Sequence, residues 1–396
     1  MAGTISRGIK APIIREGDDI ARIVVDSVIR AMKEDGFTLK DRDIIAVTES
    51  VVARADGNYC TVDDIAKDIR FKFGEDATIG VLFPILSRNR FAICLRGIAR
   101  GAKKVVVQLS LPADEVGNHL VDEELFAKMV PNPSINLLHE NTFKQIFGEP
   151  IHPFTGINYV EYYKEIIESE GAEAQIIFSN RVTDILWYAP DVICCSIHNR
   201  DSIAEKLRRC DIAGKILTLC DIMNNSHSIN GGCNEQYGLL GSNKATEEKL
   251  KLFPRNAQSV ADTIQALFWL ETGIIVEAMV YGDGAFKDPV GKIWELADPV
   301  VSPGFTSGLK GTPNELKLKY LADNDFKDLS GDALSEAVRA SIRQKDKDLV
   351  GQMASEGTTP RRLTDLIGSL CDLTSGSGDK GTPIVVVQNY FDNYAS

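Results

Sequence analysis

The sequence predicts a mixed α/β fold of the α+β kind, in one large core or two ordinary ones. Three observations predict it. Apolar runs of strand length alternate with segments of helical periodicity along the chain. Three β-like runs between residues 174 and 220, with helical segments between them, have the spacing of a small parallel α/β unit. The chain has 396 residues, of which 44% are hydrophobic, enough to bury such a core.

The elements follow in order. Residues 18–35 open with Asp18-Asp19 and place Ile20, Ile23, Val24, Val28 and Met32 on one helical face, with Ser27 as a polar gap. The acidic pair suits a helix N-terminus, where carboxylates cap free amides and meet the positive end of the dipole. Residues 44–52 read as a buried strand running into a turn, and 77–83 and 104–109 as two further strands. Between them, 91–100 is apolar with flanking arginines and reads as a helix. After Asn118 the texture changes, and Pro131-Asn132-Pro133-Ser134 marks a break. Residues 155–171 read as a helix, then 174–178, 191–197 and 215–220 as strands, with a helix over 201–209. Helices are expected near 246–253 and 256–270, then a strand over 273–281 and an acidic, glycine-rich mobile stretch from about 298 to 332. Helices near 332–355 and 360–373 lead to a glycine loop and a final strand at 383–388.

Composition excludes some classes. The net charge of −12 leaves no basic excess to neutralise phosphates along a polymer or an anionic bilayer, so neither nucleic acid nor membrane is expected as a partner. There is no apolar run of membrane-spanning length, and the opening MAGTISRGIKAP lacks the apolar core of a signal peptide. The eight cysteines are scattered without a C-x-x-C pair, which fits reduced core thiols in a cytoplasmic protein.

Three loops carry residue types that suit a polyphosphate. The first pairs Lys10-Ala11-Pro12-Ile13 with Glu49, Ser50 and Arg54: hydroxyls and backbone N–H groups hold phosphate or ribose oxygens, and a guanidinium binds phosphate in bidentate fashion. By residue type alone the same stretches read as a strand end, a turn and surface charge. The second comprises Asp114, in Leu111-Pro112-Ala113-Asp114-Glu115-Val116-Gly117-Asn118, and Asp283, after an apolar run; carboxylates at strand ends suit Mg²⁺, although Asp283-Gly284 is equally a turn signal. The third, Gly376-Ser377-Gly378-Asp379-Lys380-Gly381-Thr382, fits G-x-G-x-x-G formally. A helix precedes it and a strand follows, the reverse of a dinucleotide fingerprint, so it reads as a backbone nest for phosphate or as a helix cap and connector. A Rossmann dehydrogenase built on 174–222 is disfavoured because no glycine-rich turn follows its first strand.

Taken in this order, the elements GIKAPIIREGDDI, DIIAVTESVVARADG, PADEVGN, VYGDGAFKDP and GSGDKGTPIVVV resemble the coenzyme F420-0:L-glutamate ligase (gamma-glutamyl ligase) family. The resemblance implies a ligase-like core over 1–118 and 256–396 with an inserted α/β region over 119–255. It implies GTP as co-substrate and Mg²⁺ or Mn²⁺ as cofactor, a small-molecule carboxylate acceptor, an amino acid such as glutamate, and a homodimer. Carried over by position, Lys10, Ala11, Pro12, Ile13, Glu49, Ser50 and Arg54 would line the nucleotide site and Asn118 would touch the nucleotide. Asp114, Asp283 and Ser377 would serve the metal, and Gly376, Ser377, Gly378, Asp379, Lys380 and Gly381 would close over the phosphates. Where the family carries Ser-Asp-Thr, this chain has Gly282-Asp283-Gly284, and the family's lysine in the second element is Arg54. The alternative is a non-catalytic nucleotide- or metabolite-binding protein on the same scaffold.

Overall fold

The computed structural model describes residues 3–130, 137–153, 155–225, 233–282, 286–287, 294–295, 302–349, 351–355, 362–375 and 378–396. Asp283, Gly376 and Ser377 lie outside them. The chain runs through β1 (Ile5–Ile9), α1 (Ile20–Asp35), β2 (Ile44–Thr48), α2 (Glu49–Ala55), β3 (Tyr59–Thr61), α3 (Val62–Phe73), β4 (Thr78–Leu82), α4 (Phe91–Arg100) and β5 (Lys104–Leu109). It continues through α5 (Glu123–Met129), β6 (Leu138–His139), α6 (Glu140–Phe147), α7 (Tyr159–Ser169), β7 (Glu173–Phe178), β8 (Asp191–Cys194), α8 (Arg200–Arg208), β9 (Ile216–Thr218), β10 (Asn243–Lys244) and β11 (Lys249–Lys251). The last part holds α9 (Ala257–Thr272), β12 (Glu277–Tyr281), β13 (Phe286–Lys287), β14 (Trp294–Glu295), β15 (Gly304–Phe305), α10 (Leu318–Tyr320), α11 (Gly331–Gln344), α12 (Leu363–Ser375) and β16 (Ile384–Gln388).

Two sheets organise these elements. The first has the order β1-β16-β2-β12-β15. Its strands alternate inward residues on two faces, as a sheet covered on both sides requires. Ile45, Val47, Ala278 and Val280 meet α1 and α9 on one face, and Ile44, Ala46, Met279 and Val385 meet α12 on the other. The α1 helix starts where its acidic pair places it: the Asp19 side chain accepts from the Arg22 amide, and Gly36 ends it in the left-handed conformation.

The second sheet has the order β6-β7-β5-β4-β8-β9. The five strands from β7 to β9 are joined by four parallel pairings, and only the short β6 is antiparallel. The helices α3, α4 and α7 cover one face, and Ile185, Leu186, Ala204 and Leu207 cover the other. The strands expected to form a small parallel α/β unit at 174–220 do lie in a parallel sheet, with β5 and β4 placed between β7 and β8. The sheet pairing therefore runs across residue 118, the expected edge of the inserted region. Periodicity marks a buried strand but does not name its partner.

Other differences are local. The strand expected over 44–52 stops at Thr48, whose side chain caps α2 by accepting from the Ser50 amide. The helix expected over 246–253 is instead β11, paired with β3 and β10. Lys249, Leu250, Lys251 and Leu252 alternate with period two, and Leu250 and Leu252 are fully buried. The stretch expected as mobile carries β15, hydrogen-bonded to β12, and the helical turns from Leu318 to Asp325.

Candidate functional site

The register of the first sheet decides which loops meet. Ile9 pairs with Ile384, Ile384 with Val47, and Thr48 with Tyr281. The carboxyl ends of β1, β2 and β12 and the start of β16 therefore share one edge. Lys10–Ile13, the first turn of α2 and residues 378–383 issue from it. Two backbone bonds tie them: the Ala11 amide donates to the Gly381 carbonyl at 3.1 Å, and the Thr48 amide donates to the Pro383 carbonyl at 3.0 Å. Gly381 has φ of +66° there, a conformation glycine adopts without strain. Asp283 follows the edge residue Tyr281 by two positions but lies outside the described residues, as do Gly376 and Ser377.

Lys10, Pro12, Ile13, Ser50, Arg54, Asp379, Lys380 and Gly381 are exposed and Ala11 is half-buried. Lys10, Arg54 and Lys380 make no ion pair with the described residues. Lys10 and Lys380 on two loops from this edge, and Arg54 in the last turn of α2, are cations that suit an anion in a chain whose net charge is −12.

Glu49 is different. It is buried, and its two carboxylate oxygens accept from Lys251 Nζ at 2.8 and 2.9 Å. The carboxylate is turned inward, so what Glu49 gives the edge is a fixed first turn of α2. Lys251 comes from β11, so the pair bridges the two halves of the fold. Beside it the Leu252 amide donates to Asn58 at 2.8 Å, and Asn58 Nδ2 donates to the Phe253 carbonyl. Sequence reasoning missed Lys251. The signal was there in the alternation of 249–252, which assigns Lys251 to a face that Leu250 does not share.

Asp114 and Asn118 are brought together by their own loop, after β5 in the second sheet. Asp114 Oδ1 accepts from the Val116 and Asn118 amides at 3.1 and 2.8 Å. Its Oδ2 accepts from the Leu86 amide and Asn118 Nδ2 at 2.8 and 2.7 Å. Burial raises its pKa, and these four bonds oppose the shift. As placed, all four acceptor directions of this carboxylate are in use, so it offers no free lone pair to a cation. Among the described residues no group of three or more His, Cys, Asp and Glu side chains is arranged to hold a metal ion.

Asn118 is held in turn by His152. Thr155 donates through its amide to His152 Nδ1 at 3.0 Å. That nitrogen is therefore the acceptor, and Nε2–H faces Asn118 Oδ1 at 3.2 Å. Burial and the neighbouring His119 lower the His152 pKa from its ordinary value.

The parallel strands of the second sheet lie in the spatial order 3-2-1-4-5 of a nucleotide-binding α/β fold. Ligands of such sheets sit outside the carboxyl ends of the strands where the order reverses, here β4 and β8. That crevice encloses only ≈ 30 Å³, lined by Ile85, Cys195, Ile197 and Leu219. A cavity of that volume has room for a water or two. The turn after β4, Phe83-Pro84-Ile85-Leu86, carries no glycine.

The fold and the edge define a protein of two α/β halves with a loop-built, cation-bearing sheet edge. The family model for F420-0:Gamma-glutamyl ligase matches residues 8–389, and the chain belongs to that family. Among curated proteins it is similar to the coenzyme F420:L-glutamate ligase of Methanothermobacter thermautotrophicus, 34% identical over 73 residues, which are 17% of this chain and 27% of that enzyme. The coenzyme F420:L-glutamate ligase of Methanosarcina acetivorans is 34% identical over 86 residues, 20% of this chain and 30% of that enzyme. The chain thus spans less than a third of the length of these relatives. Among the described residues no helix is long and apolar enough to cross a membrane.

Proposed function

We propose that this protein is a GTP- and divalent-metal-dependent ligase that joins an amino acid, glutamate or one like it, to a small-molecule carboxylate. The observation that carries the reading is the family match over nearly the whole chain. The meeting of the 10–13 and 378–381 loops and the start of α2 at one sheet edge supports it.

In this reading an oxygen of the acceptor carboxylate attacks the γ-phosphorus of GTP and GDP leaves. The amine of the amino acid then attacks the acyl phosphate carbon, loses a proton, and expels inorganic phosphate. Lys10, Arg54 and Lys380 would draw in and neutralise the phosphates, Ser50 would offer a hydroxyl, and Gly378–Gly381 backbone amides would form the nest. Such a site works by positioning and charge neutralisation. Mg²⁺ or Mn²⁺, bound, would supply further neutralisation of the phosphates. Because the Asp114 carboxylate is fully engaged as placed, no step is routed through the ion. A homodimer in a cytoplasmic setting belongs to the same reading.

The engaged Asp114 favours one alternative, a protein that binds the nucleotide without turnover. The test separates the two. The protein is incubated with GTP, Mg²⁺, L-glutamate and a panel of carboxylates that includes F420-0, and phosphate release and product mass are followed. Release that requires both a carboxylate and the amino acid, with a glutamyl mass increase, supports the ligase. GTP binding without release under any acceptor supports the alternative.

A further inference from the structure

We propose that the groove between α4, α7 and the β10–β11 hairpin is a binding site for a small organic anion with a flat apolar body. It is distinct from the sheet edge, and the proposal does not depend on the ligase reading. The groove has a volume of ≈ 430 Å³, within the range of about 300–1,000 Å³ that small-molecule sites occupy. It is far larger than the ≈ 30 Å³ crevice at the strand ends of the same sheet.

The lining has two parts. Ala92, Ile93 and Ile166 form an apolar floor, and the half-buried Tyr162 ring flanks it. Around this floor stand Arg88, Arg96 and Lys244, with Glu247 and Glu248 as the anions. Two of the cations are already paired. Arg96 meets Glu170 at 2.7 Å and Glu248 at 2.8 Å, and Lys244 meets Glu247. Arg88 is exposed and makes no hydrogen bond or ion pair with the described residues.

The groove thus carries one surplus positive charge in a chain whose net charge is −12. A guanidinium beside an apolar floor and a phenol ring selects a carboxylate or phosphate head on an aromatic body. The anion meets the fork of Arg88, and the body lies on Ile93 and Ile166 against Tyr162. The ion-paired rim gives this site a fixed shape: Arg96 and Arg100 both hold Glu170, and both also hold Glu248. Preorganised walls reduce the ordering cost of binding.

The experiment uses calorimetric titration of the full chain with phenyl phosphate, benzoate, inorganic phosphate and benzamide. The expected result is binding of phenyl phosphate or benzoate, with inorganic phosphate and benzamide at least about tenfold weaker, because each lacks one half of the recognised chemistry. Whichever of the two aromatic anions binds more tightly assigns the head group as phosphate or carboxylate. Arg88→Gln should weaken that binding about tenfold, the usual worth of a charge-assisted hydrogen bond. Ser169→Trp, at an exposed position on the rim, should block it. Both substitutions are at exposed residues, and unchanged thermal unfolding would show that the fold is kept. Failure of both aromatic anions to bind the unaltered protein overturns the proposal. So does binding that neither substitution alters.

Discussion

Replacing Lys251 by methionine removes an ammonium from the seam between the two halves of the molecule and keeps the apolar stem. The side chains of Lys251 and Glu49 are 8% and 3% exposed, so solvent screens the pair little. Glu49 has no other partner among the described residues, and the variant strands a buried carboxylate. Removing one member of a buried pair costs about 3–5 kcal/mol, a large part of the roughly 5–15 kcal/mol that stabilises a domain. The double variant Lys251→Met with Glu49→Leu replaces the pair by apolar groups and should recover most of the loss, to within about 1 kcal/mol of the parent. Urea unfolding followed by circular dichroism measures all three proteins and the Glu49→Leu single variant as a double-mutant cycle. The reasoning is refuted if Lys251→Met costs less than about 1 kcal/mol, or if the double variant is as unstable as the single one.

Other expectations concern the remaining networks. Asp114→Asn turns an acceptor into a donor facing N–H groups, so it should destabilise the metal-free protein by about 2–3 kcal/mol; unchanged metal-free unfolding would contradict the hydrogen bonding described for that loop. His152 has a folded pKa below its unfolded one. Its contribution to stability is therefore full above the unfolded value of about 6.5 and is lost as pH falls toward the folded value. The urea midpoint should fall from pH 7.5 to 5.5, and His152→Gln should flatten that slope if the account is right. Gly97→Ala would place a Cβ 2.5 Å from Ile65 between α3 and α4 and should cost about 1–3 kcal/mol by overpacking, read in the same urea assay. Burial pushes the thiols of Cys94 and Cys194 up to about 11 and about 12. At pH 8 a disulfide reagent should label the native protein slowly at these positions, faster at the half-buried Cys210, and at all eight cysteines in denaturant.

Much of the fold is legible in the sequence where a segment's own pattern decides its structure. Residues 91–100 and 104–109 match the observed helix and strand residue for residue, because their apolar patterns suit α4 and β5. The failures have a different cause. Strand pairing is a long-range property: nothing in 78–82 announces that it lies between β5 and β8. The short run around Lys251 is ambiguous between helix and strand until β3 supplies a neighbour. At the candidate site, the residue types of 10–13, 49–54 and 378–381 were legible, and the sheet register that brings the two loops and the start of α2 together was not. Glu49 and Asp114 show the remaining gap. Their carboxylates could be recognised, but only the structure shows that Lys251 and four N–H groups already occupy them.

The central claim is that loops meeting at one edge of the first sheet hold a nucleotide polyphosphate. Its most direct test is a calorimetric titration of GTP with Mg²⁺ into the unaltered protein and into Lys10→Ala with Arg54→Ala. Both side chains are exposed, so folding should be kept. The account predicts binding to the unaltered protein and a loss of at least about tenfold in the double variant, from two charge-assisted phosphate contacts. No GTP binding to the unaltered protein, or equal affinity in both, would contradict it.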